Sequence, residues 1–109
     1  MTDTIKFDFS NKVVLITGAE RGIGLEIAKG FAQCGADIVI AGIGEGEFEN
    51  AESAITAIGA ACTCLKTDVS NEASVKKTVA AVKEKYGRID ILVNNAGINI
   101  SAPAEQMPL

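Results

Sequence analysis

The feature that most restricts what this chain can fold into is the apolar run Val13-Val14-Leu15-Ile16, which passes directly into Thr17-Gly18-Ala19-Glu20-Arg21-Gly22-Ile23-Gly24. Apolar residues in succession, most of them β-branched and none alternating with polar ones, predict a strand over residues 12–17 covered on both faces, as strands of parallel sheets are. Beyond the glycines, Ile23, Ile27, Ala28 and Phe31 fall at helical spacing, and Gly35 closes that helix. Glycine lets the backbone between the two elements swing sharply and approach a ligand with no side chain in the way. The unpaired N–H groups that open a helix attract an anion. A glycine triplet alone is weak evidence, but between the strand and the helix of a βαβ unit it predicts a site for a phosphate-bearing nucleotide.

The same alternation continues to the end. Ile38-Val39-Ile40 reads as a second strand; Phe48, Ala51, Ile55 and Ile58 mark a second helix that stops at Gly59; Cys62 to Lys66 is a weaker third strand. The third helix carries the stripe Val75, Val79, Val82 and Tyr86, with Ser70 as its cap, Glu72 in its positive first turn, and Lys83 and Lys85 at its negative end before Gly87. Ile89 to Val93 is the fourth strand. Strands and helices in strict alternation predict an α/β fold of the Rossmann type: a doubly wound parallel sheet, in partial form, with about four strands and three helices joined by right-handed crossovers. Residues 1–109 are expected to form one domain. A second glycine-dense run, Gly42-Ile43-Gly44-Glu45-Gly46, follows the second strand, but Glu45, Glu47 and Glu49 repel phosphate there, and a mobile loop is expected.

Charge and cysteine content exclude several partners. Ten Lys and Arg against 14 Asp and Glu give a net charge of −4, which repels nucleic acid unless bases cluster on one face. Lys76, Lys77, Lys83 and Lys85 gather in one segment but alternate with the apolar stripe, as on a solvated helix face. The first ten residues hold Asp3 and Asp8 and no apolar core, unlike a secretory signal, so a cytoplasmic location is expected. No apolar stretch approaches the roughly 20 residues of a bilayer span, and no membrane partner is expected. Cys34, Cys62 and Cys64, in a chain without histidine, do not make a metal site. Cys62 and Cys64 share one face of a strand as small apolar residues.

Gly18, Gly22 and Gly24 are separated by three residues and then one, a departure from the ordinary dinucleotide spacing of one and then two. With Asp68-Val69 after the third strand and Asp90-Ile91-Leu92-Val93-Asn94-Asn95-Ala96-Gly97 through the fourth, the chain closely resembles the short-chain dehydrogenase/reductase family. The resemblance runs from about Phe9 to Leu109, and its double-asparagine element is more specific than its glycines. It implies that Gly18, Arg21 and Ile23 flank the phosphates and ribose of a nicotinamide dinucleotide, while Gly22 and Gly24 keep the backbone close. Glu20, in the same turn, stands where the family has a small hydroxyl residue. Asp68 is implied to accept a hydrogen bond from the adenine amino group and Val69 to fix the ring. Asn95, Ala96 and Gly97 border the ribose, the amide tying neighbouring strands together. Apart from the resemblance, the alternative for Asp68 is that it begins the turn into the Ser70 cap.

An NAD site of this type places a carboxylate about 20 residues beyond the first glycine, and Gly42, 24 residues beyond Gly18, stands there instead. Arg21 occupies the place where the resemblance puts a base for the 2′-phosphate of NADP, and a guanidinium suits a phosphate. The sequence therefore leans to NADP over NAD, although Ile43 brings no charge and the glutamates at 45–49 oppose a phosphate.

Catalysis in the family is implied to need a tyrosine, a lysine four residues later and a serine. The sole tyrosine, Tyr86, is followed four residues on by Asp90 and lies on the apolar stripe, where it reads as core; Ser101 comes too early. No catalytic residue is assigned. The chain is expected to be the N-terminal half of an NAD(P)-dependent oxidoreductase that moves hydride between a nicotinamide and a carbonyl or alcohol. It is expected to be inactive and poorly stable alone, with its fourth strand at an open edge, and homo-oligomeric in full-length form. The alternative is a non-enzymatic nucleotide-binding or interaction module that pairs with a second chain. A methyl-donor-binding transferase is disfavoured by the glycine spacing and the asparagine pair.

Overall fold

The computed structural model describes residues 7–95; Ala96, Gly97, Ser101 and the prolines at 103 and 108 lie outside them. Strand β1 (Val13–Thr17) leads into helix α1 (Gly22–Gln33), followed by β2 (Asp37–Gly42), α2 (Phe48–Thr56), β3 (Cys62–Lys66), α3 (Glu72–Tyr86) and β4 (Ile91–Val93). The strands are all parallel and ordered β3-β2-β1-β4. Successive residues of the two central strands feed opposite faces, and both faces are covered. Val14, Ile16, Ile38 and Ile40 pack with Ala28 and Ala32 of α1 and Ala51 and Ile55 of α2. Val13, Leu15, Val39 and Ala41 pack with Val82 of α3. Burial on two sides is why these strands lack polar alternation. Cys62 and Cys64 lean together on the first cluster, as their period-two spacing predicts.

The spacing read for α1 marks its core-facing side at Ile27, Ala28 and Phe31 but not at Ile23. Ile23 is 76% exposed, and Gly24, Ala28 and Ala32 are the buried residues, with Ile27 and Phe31 half-buried beside them. Leu25, Ile27 and Phe31 pack against the same core, partly buried, beside this stripe of small residues. The cap of α3 also differs from expectation. Asn71, not Ser70, caps the helix, its Oδ1 accepting from the Ser74 N–H at 2.9 Å, while the Ser70 hydroxyl donates to Asp68. Glu72 opens α3, and Lys83, Lys85 and the left-handed Gly87 (φ 82°) end it, as charge and conformation require.

Strand β4 starts at Ile91 because Asp90 is used differently. Its Oδ2 accepts from the Val13 N–H at 2.8 Å and its own N–H donates to the Val13 carbonyl at 2.9 Å, clipping the start of β1 to β4. Among the described residues β4 pairs with β1 alone, and its three residues are half-buried. The Arg88 guanidinium grips the same carboxylate; that bond first, and the Val13 N–H second, hold the Asp90 carboxyl below its ordinary value of 3.8. A depressed folded value stabilises the fold fully above the ordinary one, and the benefit is lost as pH falls through the folded one. Asp90→Asn should therefore lower the melting temperature at neutral pH and flatten the loss of stability below pH 3.8. An acid limb identical in both proteins would count against this clip.

Candidate nucleotide-binding site

All four strands point their C-terminal ends at one edge, where the glycine turn lies. The chain leaves β1 through Gly18, whose φ of 67° suits glycine and whose N–H donates to the Ala41 carbonyl of β2 at 2.8 Å. It enters α1 through Gly22, at φ 61°. Arg21 is the N-cap in extended conformation and makes no side-chain cap, so the positive end of this 12-residue helix has no capping side chain of its own. Asn95 locks the turn from the other side: its Nδ2 donates to the Gly18 carbonyl at 3.1 Å and its backbone N–H to Thr17 Oγ1 at 2.8 Å. Gly24 sits beneath this lock, where a Cβ would run into the Gly18 carbonyl and come within 2.5 Å of Asn95 Nδ2. The amide ties the segment after β4 to the turn after β1.

In front of the turn lies a cleft of about 350 Å³. The turn contributes Gly18, Glu20 and Arg21; the segment after β3 contributes Asp68 and Val69; Asn95 closes it. These six sequence-assigned residues come together. Gly22, Ile23 and Gly24 build the helix start without lining the cleft. Gly42, Ile43 and Thr67 also line it, and were not counted as site residues from the sequence. Thr67 is buried; its hydroxyl bonds to that of Thr78 on α3, and its N–H donates to the Gly42 carbonyl, so it joins the ends of β2, β3 and α3. Its only signal was its place next to Asp68.

Both roles read for Asp68 are compatible with its position. Its Oδ1 accepts from the Ser70 hydroxyl at 2.6 Å and N–H at 3.0 Å, shaping the turn toward α3, while the residue also faces the cleft. Those two bonds hold its carboxyl below the usual value, so it is an anion at neutral pH. Four large apolar residues are exposed among the described ones; Ile43 and Val69 rim the cleft and Ile23 opens α1, with Phe7 elsewhere. Apolar surface gathered around a concave polar site suits a flat ring.

Glu20 is the unexpected member. It is only 6% exposed; Oε2 accepts from the Gly44 N–H at 2.9 Å, and Oε1 is buried with no partner among the described residues. The side chain lies over Gly42, where a Cβ would collide with Oε1 and reach Cδ at 2.6 Å. The glycine run expected to be a mobile loop is thus shaped around this carboxylate: Gly42 and Gly44 make room for it, and Glu45–Glu47 form a 3₁₀ turn into α2. Arg21 points elsewhere, its Nη1 3.1 Å from Glu47 Oε1 in an exposed ion pair. Tyr86 is remote from the cleft: it packs on the α3 side of the sheet and bonds through its hydroxyl to Thr63 at 2.8 Å. Among the described residues the cleft lining has no serine, tyrosine or lysine.

A parallel α/β sheet with a glycine turn, an uncapped helix start and a cleft at the strand ends defines the class of nucleotide-binding domains. The family model for short chain dehydrogenases matches residues 12–109, and the chain belongs to that family. It is 49% identical over 94 residues to galactitol 2-dehydrogenase of Agrobacterium fabrum, covering 86% of this chain and 36% of that protein. Among solved structures it is similar to an NAD+-bound xylitol dehydrogenase (TM-score 0.80, 36% identity, 92% of this chain and 39% of that one). It is also similar to the RhlG/NADP complex of Pseudomonas aeruginosa (TM-score 0.77, 34% identity, 84% and 36%). The chain spans 36–39% of the length of the first curated relatives it matches. The family consists of oxidoreductases acting on alcohols and binds NAD(P).

Proposed function

We propose that these residues form one NAD(P)-binding domain, the cofactor-binding portion of a longer oxidoreductase that interconverts an alcohol and a carbonyl. The observation that carries this is the joint of Gly18, Gly24 and Asn95, which holds the glycine turn in shape beside the cleft that Gly18, Glu20, Arg21 and Asn95 line. Gly18, Arg21, Gly22 and Ile23 surround the diphosphate and its neighbouring sugar. Asp68 and Val69 take the adenine, joined by Ile43 on the rim. Asn95 holds the turn in shape, with Ala96 and Gly97 continuing along the ribose. The coenzyme supplies or accepts hydride at its nicotinamide. The serine, tyrosine and lysine of the family pattern are supplied from outside residues 1–109, which this chain spans as little more than a third of its relatives' length.

Two of the similar proteins are named for sugar alcohols, galactitol and xylitol, which makes polyols and their ketones the first substrates to try. A homo-oligomer in the cytoplasm belongs to the same proposal. Support for NADP rests on Arg21, and Arg21 is already paired with Glu47. Titrating the intact protein with NADH and NADPH, followed by coenzyme fluorescence, should give saturable binding of at least one. Polyol oxidation should require the intact protein, with none from residues 1–109 alone. Turnover by the 109-residue chain, or binding of neither coenzyme, would refute the proposal.

A further inference from the structure

We propose that Glu20 takes the place of the acid absent from the end of β2 and makes the cleft select NAD(H) against NADP(H). This rests on the nucleotide-binding role proposed above and concerns which nucleotide is taken. The carboxylate and the glycine are complementary. Gly42 ends β2, and the volume its side chain would fill holds both oxygens of Glu20. An acid at position 42 and Glu20 therefore exclude each other, and Gly42 without Glu20 would leave the cleft with no carboxylate at that point.

The two oxygens of Glu20 are in unlike states. Oε2 is fixed by the Gly44 N–H at 2.9 Å, which orients the group; Oε1 of this cleft-lining residue is buried with no donor among the described residues. A buried carboxylate oxygen without a donor is unfavourable, and a ligand that brings a hydroxyl relieves it. The adenosine ribose of NAD offers free 2′ and 3′ hydroxyls, each able to donate. The 2′-phosphate of NADP replaces one donor by an anionic group that has only acceptors to offer and is repelled by the carboxylate. Local charge acts in the same direction. Among the described residues that line the cleft, Glu20 and Asp68 are acids and Arg21 is the one base, and Arg21 is paired with Glu47 at 3.1 Å. A 2′-phosphate would have to draw Arg21 from Glu47 and still meet Glu20.

The test is the ratio of dissociation constants for NADH and NADPH, measured on the intact protein by coenzyme fluorescence for wild type, Glu20→Gln, Glu20→Ser and the double variant Glu20→Ser with Gly42→Asp. Wild type should favour NADH. Glu20→Ser should weaken NADH by about 10- to 100-fold, the range for losing a hydrogen bond to a charged group, while NADPH holds or tightens. Glu20→Gln keeps size and an acceptor but loses charge, so it should chiefly improve NADPH. The double variant returns an acid through the vacated space and should restore the NADH preference. Wild-type preference for NADPH overturns the proposal. An unchanged ratio in Glu20→Ser, or equal tightening of both coenzymes as if a plug had been removed, overturns the role of Glu20 while the nucleotide site stands. Binding of neither coenzyme to wild type overturns the nucleotide site itself, and the role of Glu20 with it.

Discussion

Gly24→Ala is expected to weaken binding of either coenzyme by about 10- to 100-fold, the range for losing a hydrogen bond to a charged group. The added Cβ would meet the Gly18 carbonyl, Asn95 Nδ2 at 2.5 Å and the Ala19 Cα at 2.9 Å. Two of these are backbone atoms of the turn and cannot rotate away. Helix α1 must lift from β1, and the bond from Asn95 to Gly18 must lengthen or break. The glycine turn then loses the shape in which it is proposed to receive the diphosphate. Overpacking of this kind also costs about 1–3 kcal/mol of stability. Gly30→Ala on the same helix is the control. Nothing lies within 4 Å of a Cβ built there, so the change should stabilise by up to about 1 kcal/mol through helix propensity and leave binding alone. Wild-type affinity in Gly24→Ala would show that the turn does not hold the nucleotide.

Ile40→Ala should cost about 2–5 kcal/mol, read from the midpoint of urea unfolding of the intact protein. Ile40 is fully buried near the end of β2, in the layer shared with α1 and α2. Ile16 of β1 and Cys64 of β3 flank it in register within the same cluster, so truncation removes packing at the centre of that layer. A domain of this size is stable by about 5–15 kcal/mol, so the loss is a large share. Ile43, three residues along, is 69% exposed at the cleft rim. Ile43→Ala should change stability by no more than about 0.5 kcal/mol and should instead weaken coenzyme binding. Similar losses of stability in the two variants would contradict the boundary between core and cleft drawn here.

Most of the architecture was legible in the sequence, for reasons that individual elements make plain. Val13 to Ile16 could be read as a two-sided strand because Val14 and Ile16 face α1 and α2 while Val13 and Leu15 face α3. The end of α3 was legible from Lys83, Lys85 and Gly87, whose effects are local to one helix turn. The face of α1 was legible at Ile27, Ala28 and Phe31 but not at its start, where Ile23 is exposed and Gly24 beside it is buried, because packing against the sheet decides which of the two is covered. The α3 cap was misplaced by one residue because Ser70 and Asn71 are both competent caps, and Asp68 drew Ser70 away.

The sequence by itself determined the alternation of strands and helices, the burial of β1 and β2 on both sides, and the nucleotide turn, since each follows from backbone periods and glycine conformations that neighbouring residues set. Only the tertiary structure decided what Glu20 and Gly42 are to each other. Parallel pairing of β1 with β2, in the register that sets Thr17 beside Ala41, brings the end of one strand to the turn after the other. A glycine that reads as a missing acid thereby becomes the space in which another acid lies. Local periodicity is carried along the chain, whereas the occupant of a given volume is chosen by every segment that the sheet draws around it.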